Sequence, residues 1–196
     1  MNNTDIYEEY ARRACKMLET RDAVSEEPIV RYTWGTDAGF YRLTPKVVAF
    51  PRNESELVAL VKCANEMKLP VTFRAAGTSL SGQAITDSIL IVIGDKWDSY
   101  RVLGNGELQP GIRGGRVNAI LRPYGRKFGP DPASLASCMV GGIVMNNASG
   151  MSCGTWANSD KLLESIRIVL NDGTVLDTGS EESIRDFRAR RPEIFE

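Results

Sequence analysis

The sequence of 196 residues contains no histidine, so the commonest acid–base side chain and the commonest metal ligand are both missing. If the protein is an enzyme, its acid–base group is a carboxylate, is supplied by a cofactor or lies outside this chain. The four cysteines stand at positions 15, 63, 138 and 153, and none belongs to a CxxC pair. No zinc or iron–sulfur site is therefore predicted here, and scattered cysteines of this kind are typically reduced and partly buried.

The sequence also lacks an excess of positive charge and a long apolar run. It has 24 lysines and arginines against 25 aspartates and glutamates, which argues against a nucleic-acid surface. No apolar run reaches the roughly 18 residues that a membrane-spanning helix needs. The beginning of the chain, "MNNTDIYEEYARRACKML", is acidic and has no apolar signal core. We therefore expect a cytoplasmic location.

The first half of the chain predicts a helix and then a compact strand–helix–strand unit. Residues 1–33 are expected to form a charged helix and an irregular lead-in. A strand at 47–50 is followed by the helix "ESELVALVKCANEMK", with Asn53 or Ser55 as its cap, and then by a strand in "LPVTF". Two strands joined by one helix over so short a stretch imply parallel pairing. The apolar face of that helix consists of Leu57, Leu60, Val61 and Ala64.

The second half has a different pattern, which predicts a mostly antiparallel α+β unit. Strands with tight turns are expected in "SILIVIGD", "YRVLGNGELQPGI" and "ESIRIVLNDGTVLDTG". The Asp-Gly pair in "NDGT" is a strong hairpin signal because it suits positive φ. Helices are expected in "GGRVNAILRPYG" and in "EESIRDFRARRPEIFE". The apolar residues of 139–145, Met145 among them, are expected to pack in the core.

The stretch "FRAAGTSLSGQAI" places glycines and hydroxyls directly after a strand. Glycine adopts positive φ at little cost, so successive amides can turn toward one anion. Arg74 could add positive charge. A P-loop is excluded, because Gln83 and Ala84 stand where its lysine and hydroxyl are needed. Taken alone, the stretch fits a phosphate-binding loop and an ordinary tight turn equally well.

A second set of small residues favours the binding interpretation. "GPDPAS" at 129–134 and "GGIVMNNASG" at 141–150 again offer amide side chains and backbone donors. A single loop can bind one phosphate, whereas two loops can bind an extended dinucleotide, one on each side of its pyrophosphate.

The sequences of these segments, and their order along the chain, resemble those of a known family. "RAAGTSLSGQ", "LQPG", "YGRKFGPDPAS", "GGIVMNNASGMSCGT" and "SIRIVLNDGTVLDTG" are similar to the FAD-binding domain of the vanillyl-alcohol-oxidase superfamily. Within it they resemble the D-lactate dehydrogenase and glycolate oxidase subunit group, nearest to long bacterial FAD-linked oxidases with a C-terminal iron–sulfur region. The resemblance implies an α+β, PCMH-type FAD-binding fold. It would comprise a small α/β subdomain at 34–84 and then a larger, mainly antiparallel sheet flanked by helices from 85 to 196.

The resemblance also implies which residues bind the cofactor. The loop would wrap the pyrophosphate through its backbone amides, with Arg74 and Gln83 at its rims. The implied set is Arg74, Gly77, Thr78, Ser79, Leu80, Ser81, Gly82, Gln83, Pro132, Ser134, Gly141, Gly142, Asn146, Asn147, Ala148, Ser149, Gly150 and Ser152. No catalytic residue and no metal ligand is assigned in this chain. Because the chain has no histidine, FAD is expected to bind noncovalently.

The function implied is that of a flavin-dependent dehydrogenase oxidising a D-2-hydroxy acid such as D-lactate or glycolate. Relatives carry a later GSEGTLG-type segment and a substrate-binding cap, which this sequence does not contain. We therefore expect an N-terminal fragment that is inactive alone and whose incomplete FAD site binds FAD weakly or not at all. The longer protein would carry the substrate site. The resemblance also allows an iron–sulfur cluster in its C-terminal part and a peripheral association of the longer protein with the inner membrane.

Two other functions stay open at this stage. The same loops could belong to a non-catalytic phosphate- or nucleotide-binding or interaction module, which a flavin spectrum of the purified protein would distinguish. A UDP-sugar-reducing flavoprotein would need a catalytic serine and glutamate in a further domain.

Asp37, in "GTDAGFYR", is expected to serve as a turn cap.

Overall fold

The computed structural model describes residues 3–20, 23–102, 106–151, 154 and 156–194. Helices and strands alternate along the first half, and short strands with short helices follow. The helices are α1 Asn3–Met17, α2 Pro28–Thr33, α3 Glu54–Glu66, α4 Gly114–Leu121, α5 Val140–Met145, α6 Ser159–Leu162 and α7 Glu181–Arg190. The strands are β1 Val24–Ser25, β2 Val47–Ala49, β3 Val71–Arg74, β4 Ile89–Val92, β5 Tyr100–Arg101, β6 Glu107–Leu108, β7 Arg167–Val169 and β8 Val175–Asp177.

The first half forms a four-stranded sheet in the order β1-β2-β4-β3. β4 pairs in parallel with both β2 and β3, while β1 pairs antiparallel with β2. All four residues of β4 are buried, as expected for a central parallel strand covered on both faces. The predicted direction of β2 and β3 is confirmed, but the two strands flank β4 and do not pair with each other. The strand in "SILIVIGD" thus belongs to this sheet, and the division of the chain after residue 84 stays a prediction.

Alternate residues of β4 face opposite sides of the sheet. Ile89 and Ile91 pack in a core with buried residues of α1 and α3, among them Tyr10 and Leu60. Leu90 and Val92 pack on the other side, in a cluster with Val48. The residues that pack around this second cluster are Val30, Trp34 and Phe50. The sheet is therefore a middle layer, and its second face lies against α2 and the segment after it.

Helix α3 begins and packs as its sequence predicts. The side chain of Asn53 accepts a hydrogen bond from the amide of Glu56 at 2.9 Å, which satisfies one of the free amides of the first turn. The four apolar residues predicted to form its inner face are all buried. The hydroxyl of Tyr10, in α1, donates to the carbonyl of Leu60 at 3.3 Å, and burial raises the pKa of that phenol. Helix α1 is thus fixed on α3 by both apolar and polar contacts.

Glu56 ties the end of α1 to the start of α3. Its buried carboxylate accepts from the amides of Glu19 at 3.0 Å and Arg52 at 2.7 Å. Glu56→Ala leaves both amides without that acceptor, so we expect the free energy of unfolding to fall by about 1–3 kcal/mol. Glu56→Gln keeps one acceptor oxygen and is expected to cost less. Urea unfolding followed by circular dichroism measures both, and an alanine variant as stable as the wild type would contradict this role.

The second half contains two antiparallel ladders. β5 pairs with β6 and β7 pairs with β8, and within the described residues these are two separate two-stranded sheets. The "NDGT" turn is confirmed, with φ of +83° at Gly173 and a hydrogen bond from its amide to the carbonyl of Leu170 at 2.9 Å. The guanidinium of Arg167 donates to both carboxylate oxygens of Glu54 at 2.7 and 2.8 Å. This ion pair joins the second hairpin to α3.

Three features of the chain differ from their prediction. β1 and α2 lie in stretches for which only a lead-in and irregular structure were expected. Met139, Val140 and Ile143 are buried as predicted, but Met145 is 78% exposed, because it lies at the end of the short helix α5. None of the helices in the described ranges is long and apolar enough to cross a membrane.

Candidate functional site

The loop that joins β3 to β4 carries the first predicted binding segment. It leaves the carboxyl end of a parallel strand, which is where ligands bind in open α/β sheets. Its φ angles are +69° at Gly77 and +79° at Gly82, values that glycine adopts without strain. Residues 84–86 are buried and anchor the returning end of the loop. The sequence thus forms an exposed turn on a fixed base.

Several amides of this loop are available to a ligand. In the part of the chain that the structure describes, no acceptor is found for the amides of residues 77–80. The amide of Ser81, by contrast, donates to Oγ of Ser79 at 3.3 Å. The Ser79 hydroxyl in turn donates to Oε1 of Gln83. Consecutive free amides beside hydroxyl groups can bind an oxyanion.

The guanidinium of Arg74 lies beneath this loop. Its Nη1 donates to the carbonyl of Thr36, and its Cζ lies 5.1 Å from the centroid of the Trp34 ring. Its Nε is buried and has no hydrogen-bond partner among the residues that the structure describes. Burial lowers the pKa of the guanidinium, and the nearby carboxylate of Asp37 partly opposes that shift. The site therefore has a partly desolvated positive charge behind its amides.

A segment before β2 packs along the same loop. The amide of Ala38 donates to the carbonyl of Gly77 at 3.0 Å, and an ideal Cβ on Gly39 would lie 2.7 Å from the carbonyl oxygen of Leu80. Asp37 accepts the amide of Gly39 at 2.8 Å, so its predicted role as a turn cap is confirmed. Sequence reasoning missed Trp34, Thr36 and Gly39 as parts of this site. The two glycines of "WGTDAGF" were the available signal for this close backbone approach.

The second predicted segment begins at helix α5. The amides of Val140 and Gly141 donate to the carbonyls of Ile112 and Pro110 at 2.9 and 2.8 Å. A Cβ on Gly141 would lie 2.7 Å from Cβ of Pro110, so only glycine fits there. An ideal Cβ on the next residue, Gly142, would lie 3.8 Å from Cβ of Ala75. This contact brings the two glycine-rich segments together.

The remaining predicted residues lie around α5 and in the turn before it. Ser134 accepts, through its carbonyl, from the amides of Ser137 and Cys138, both at 2.8 Å. A Cβ on Gly150 would overlap the backbone of Asp131, so the "PDPAS" and "NNASG" turns lie side by side. Of the predicted residues around α5, the exposed ones are Asn146, Asn147 and Ser149, while Pro132, Ala148 and Gly150 are half-buried. Ser152 lies outside the described residues.

One amide side chain of this segment is already engaged. Oδ1 of Asn147 accepts from the amide of Asp160 at 3.0 Å, and Oγ of Ser159 donates to the carbonyl of Ala148 at 2.8 Å. The φ of Asn147 is +47°, a value that asparagine tolerates better than most residues. Asn147 therefore holds the turn on α6.

Within the part of the chain that the structure describes, metal chemistry has no side-chain cluster to support it. In the described ranges, no group of three or more cysteine, aspartate or glutamate side chains is arranged to bind a metal ion. What the two segments offer instead is backbone amides, hydroxyls and one enclosed cation. That combination is suited to binding a phosphorylated ligand.

Comparison with known proteins gives the same picture. A family model described as "FAD binding domain" matches residues 45–179, which is more than half of the chain. Glycolate oxidase subunit GlcD of Escherichia coli (strain K12) is 30% identical over 146 residues, or 72% of this chain and 29% of that protein. D-2-hydroxyglutarate dehydrogenase of Haemophilus influenzae is 26% identical over 161 residues, or 79% of this chain and 16% of that protein. The solved structure of an alkyldihydroxyacetonephosphate synthase superposes with a TM-score of 0.74 at 18% identity, over 91% of this chain and 36% of that one.

Proposed function

The chain belongs to the family of FAD binding domains, and on this premise we propose that its β3–β4 loop and the α5 segment bind the pyrophosphate of FAD between them. The predicted residues of both segments are carried into this proposal, since no measurement yet assigns them. The enzyme to which the domain contributes would oxidise a 2-hydroxy acid. When bound, FAD supplies the acceptor for the hydride that leaves the α-carbon of such a substrate.

The observation that carries this proposal is the pairing of free amides with an enclosed cation. The amides of residues 77–80 have no acceptor among the described residues, and the Arg74 side chain behind them has a buried Nε without a partner. Backbone donors next to a positive charge favour a diphosphate over a neutral ligand. The residues present therefore fit the cofactor that the family implies.

The contact between Gly142 and Ala75 supports the use of two segments. An ideal Cβ on Gly142 meets Ala75 at 3.8 Å, so the start of α5 lies beside the start of the loop. A ligand as long as a dinucleotide needs donors on more than one element. Noncovalent binding is part of the proposal, because the sequence contains no histidine to which the flavin ring could be attached.

The substrate class rests on the relatives alone. Their names specify glycolate and D-2-hydroxyglutarate, both of which are 2-hydroxy acids. The chain spans about 29% and 16% of the length of these proteins. The substrate, the D configuration and the electron acceptor are therefore proposed for the protein as a whole, and no residue described here is assigned to the hydride-transfer step.

Titration with FAD tests the cofactor part. We expect saturable quenching of flavin fluorescence and a visible flavin spectrum in the purified protein. Heat denaturation should then release all of the flavin into the supernatant, as noncovalent binding requires. In the longest native form of the protein, an absence of saturable binding up to about 1 mM FAD, a Kd that corresponds to about −4 kcal/mol, would overturn the proposal. Equal affinity for FAD and ADP would instead favour a nucleotide-binding module that does not recognise flavin.

Anaerobic reduction tests the substrate part. Because the chain spans under a third of these relatives, the longest native form of the protein is the one to use. Adding glycolate or D-2-hydroxyglutarate is expected to bleach the flavin absorbance, whereas the corresponding 2-keto acids should not. Bleaching by an unrelated alcohol and by neither hydroxy acid would contradict the proposed substrate class.

A further inference from the structure

The guanidinium of Arg74 is half-buried and has neighbours on more than one side. One face lies over the Trp34 ring, with 5.1 Å between Cζ and the ring centroid. On another side lies the backbone of Gly77, where an ideal Cβ would approach Cζ to 2.5 Å and Nε to 2.8 Å. Nη1 donates to the carbonyl of Thr36. The side chain is thus held against the turn at Gly77.

Within the described ranges, the charge of this guanidinium has no close counter-charge. Of the residues that the structure describes, no carboxylate lies within 4.0 Å of Arg74. The carboxylate of Asp37 acts on it only from a greater distance. Oδ1 of Asp37 is engaged by the amide of Gly39, and its Oδ2 is buried without a partner. A desolvated charge that lacks a partner is unfavourable, so an anion bound nearby would stabilise this region.

We propose that Arg74 is a positioning residue for the phosphate of the bound cofactor: it fixes the turn at Gly77 from within and supplies the positive charge behind the loop amides. This inference rests on the proposed function and adds a role that direct contact would not give. In this arrangement the anion would bind the loop amides, while the guanidinium packs between the Trp34 ring and the turn at Gly77. Arg74 then acts through the loop backbone and through the electrostatic field.

The shape of the guanidinium is as important as its charge. Its planar fork can stack on Trp34 and donate to Thr36 at the same time, whereas a lysine ammonium is compact and cannot stack in this way. A lysine at position 74 would keep the charge but lose the fixed geometry of the turn. Charge and geometry can therefore be separated by comparing Arg74→Lys with Arg74→Met.

Three ligands distinguish binding of the phosphates from binding of the flavin ring. FAD contains both, ADP has the diphosphate without flavin, and riboflavin has flavin without phosphate. For Arg74→Met we expect the Kd for FAD and for ADP to rise about tenfold or more, because the positive charge behind the loop is lost, while any riboflavin affinity changes less than about twofold. For Arg74→Lys we expect the Kd for FAD and for ADP to rise about threefold, which lies between the values of the wild type and of Arg74→Met. Arg122→Met removes one exposed positive charge from outside the proposed set and should leave all three affinities within about twofold.

Each outcome supports or overturns the inference. If Arg74→Met binds FAD and ADP as tightly as the wild type, the inference fails although the proposed function stands. If the affinities for ADP and riboflavin fall equally, Arg74 maintains the domain in general and has no phosphate role. If the wild type binds no FAD, the proposed function fails and this inference fails with it. Should Arg74→Met not fold, Arg74→Lys decides: a selective loss of FAD and ADP affinity supports the role, and unchanged affinity overturns it.

Discussion

Replacing Gly77 with alanine is expected to weaken FAD binding by roughly 30-fold or more, a loss of about 2 kcal/mol. Two costs add at this residue. Its φ of +69° is unfavourable for any residue with a Cβ, by about 1–2 kcal/mol. The new Cβ would also lie 2.5 Å from Cζ of Arg74, well inside van der Waals contact.

The guanidinium cannot simply move aside to make room for that methyl group. It is held by the carbonyl of Thr36 and by the ring of Trp34, so moving it breaks both contacts. Alternatively the turn opens, and the amides of residues 77–80 lose their common direction. In either case the phosphate site is distorted, while the buried sheet below it is untouched. We therefore expect a large loss of affinity with a smaller loss of global stability.

Gly82→Ala is the matched control for this variant. Gly82 has φ of +79°, but an ideal Cβ there would meet its nearest neighbours, Ile85 and Tyr41, at an ordinary 3.7 Å. Gly82→Ala therefore introduces backbone strain without a steric clash. Titration with FAD and urea unfolding of both variants compare the two effects. Equal losses of affinity in Gly77→Ala and Gly82→Ala would show that packing against Arg74 has no part in binding.

The conformation of the β3–β4 loop was predictable because it depends on local sequence. A strand followed by clustered glycines and hydroxyls predicts a turn with free amides, and the φ angles of Gly77 and Gly82 agree with that prediction. The position of Arg74 was not predictable. Whether a side chain at the end of a strand points outward to a ligand or inward under a turn depends on its neighbours in space. Here those neighbours, Trp34 and Thr36, come from about 40 positions earlier in the chain.

The parallel sheet shows a similar limit. The apolar run "ILIV" at residues 89–92 predicts a buried strand, yet an apolar pattern does not say which strands it pairs with. Only the structure shows β4 between β2 and β3. β1 was missed because two residues are too few for any period to be detected. Met145 was predicted as core because helical periodicity does not reveal where so short a helix leaves the protein interior.

Substitutions in the central strand β4 are expected to have the second large effect, which is on the stability of the fold. Leu90 and Ile91 are both fully buried, at 0% exposure, and adjacent in the central strand. Replacing either with alanine removes a large apolar side chain from a packed core, and we expect the free energy of unfolding to fall by about 2–5 kcal/mol. Urea unfolding measures this. Ile29→Ala, at a residue that is 70% exposed, is the control and should change it by less than about 0.5 kcal/mol.

The same pair of variants should differ in FAD binding. Ile91 packs with α1 and α3, whereas Leu90 belongs to the cluster against which Trp34 packs. Trp34 in turn supports the guanidinium of Arg74. A cavity under Trp34 lets its ring shift, so Leu90→Ala is expected to weaken FAD binding several-fold even under conditions in which the protein stays folded. Ile91→Ala, equally destabilised but with its cavity on the opposite face, should bind FAD as the wild type does. Equal affinities in the two folded variants would mean that the second face of the sheet does not support the phosphate loop through Trp34.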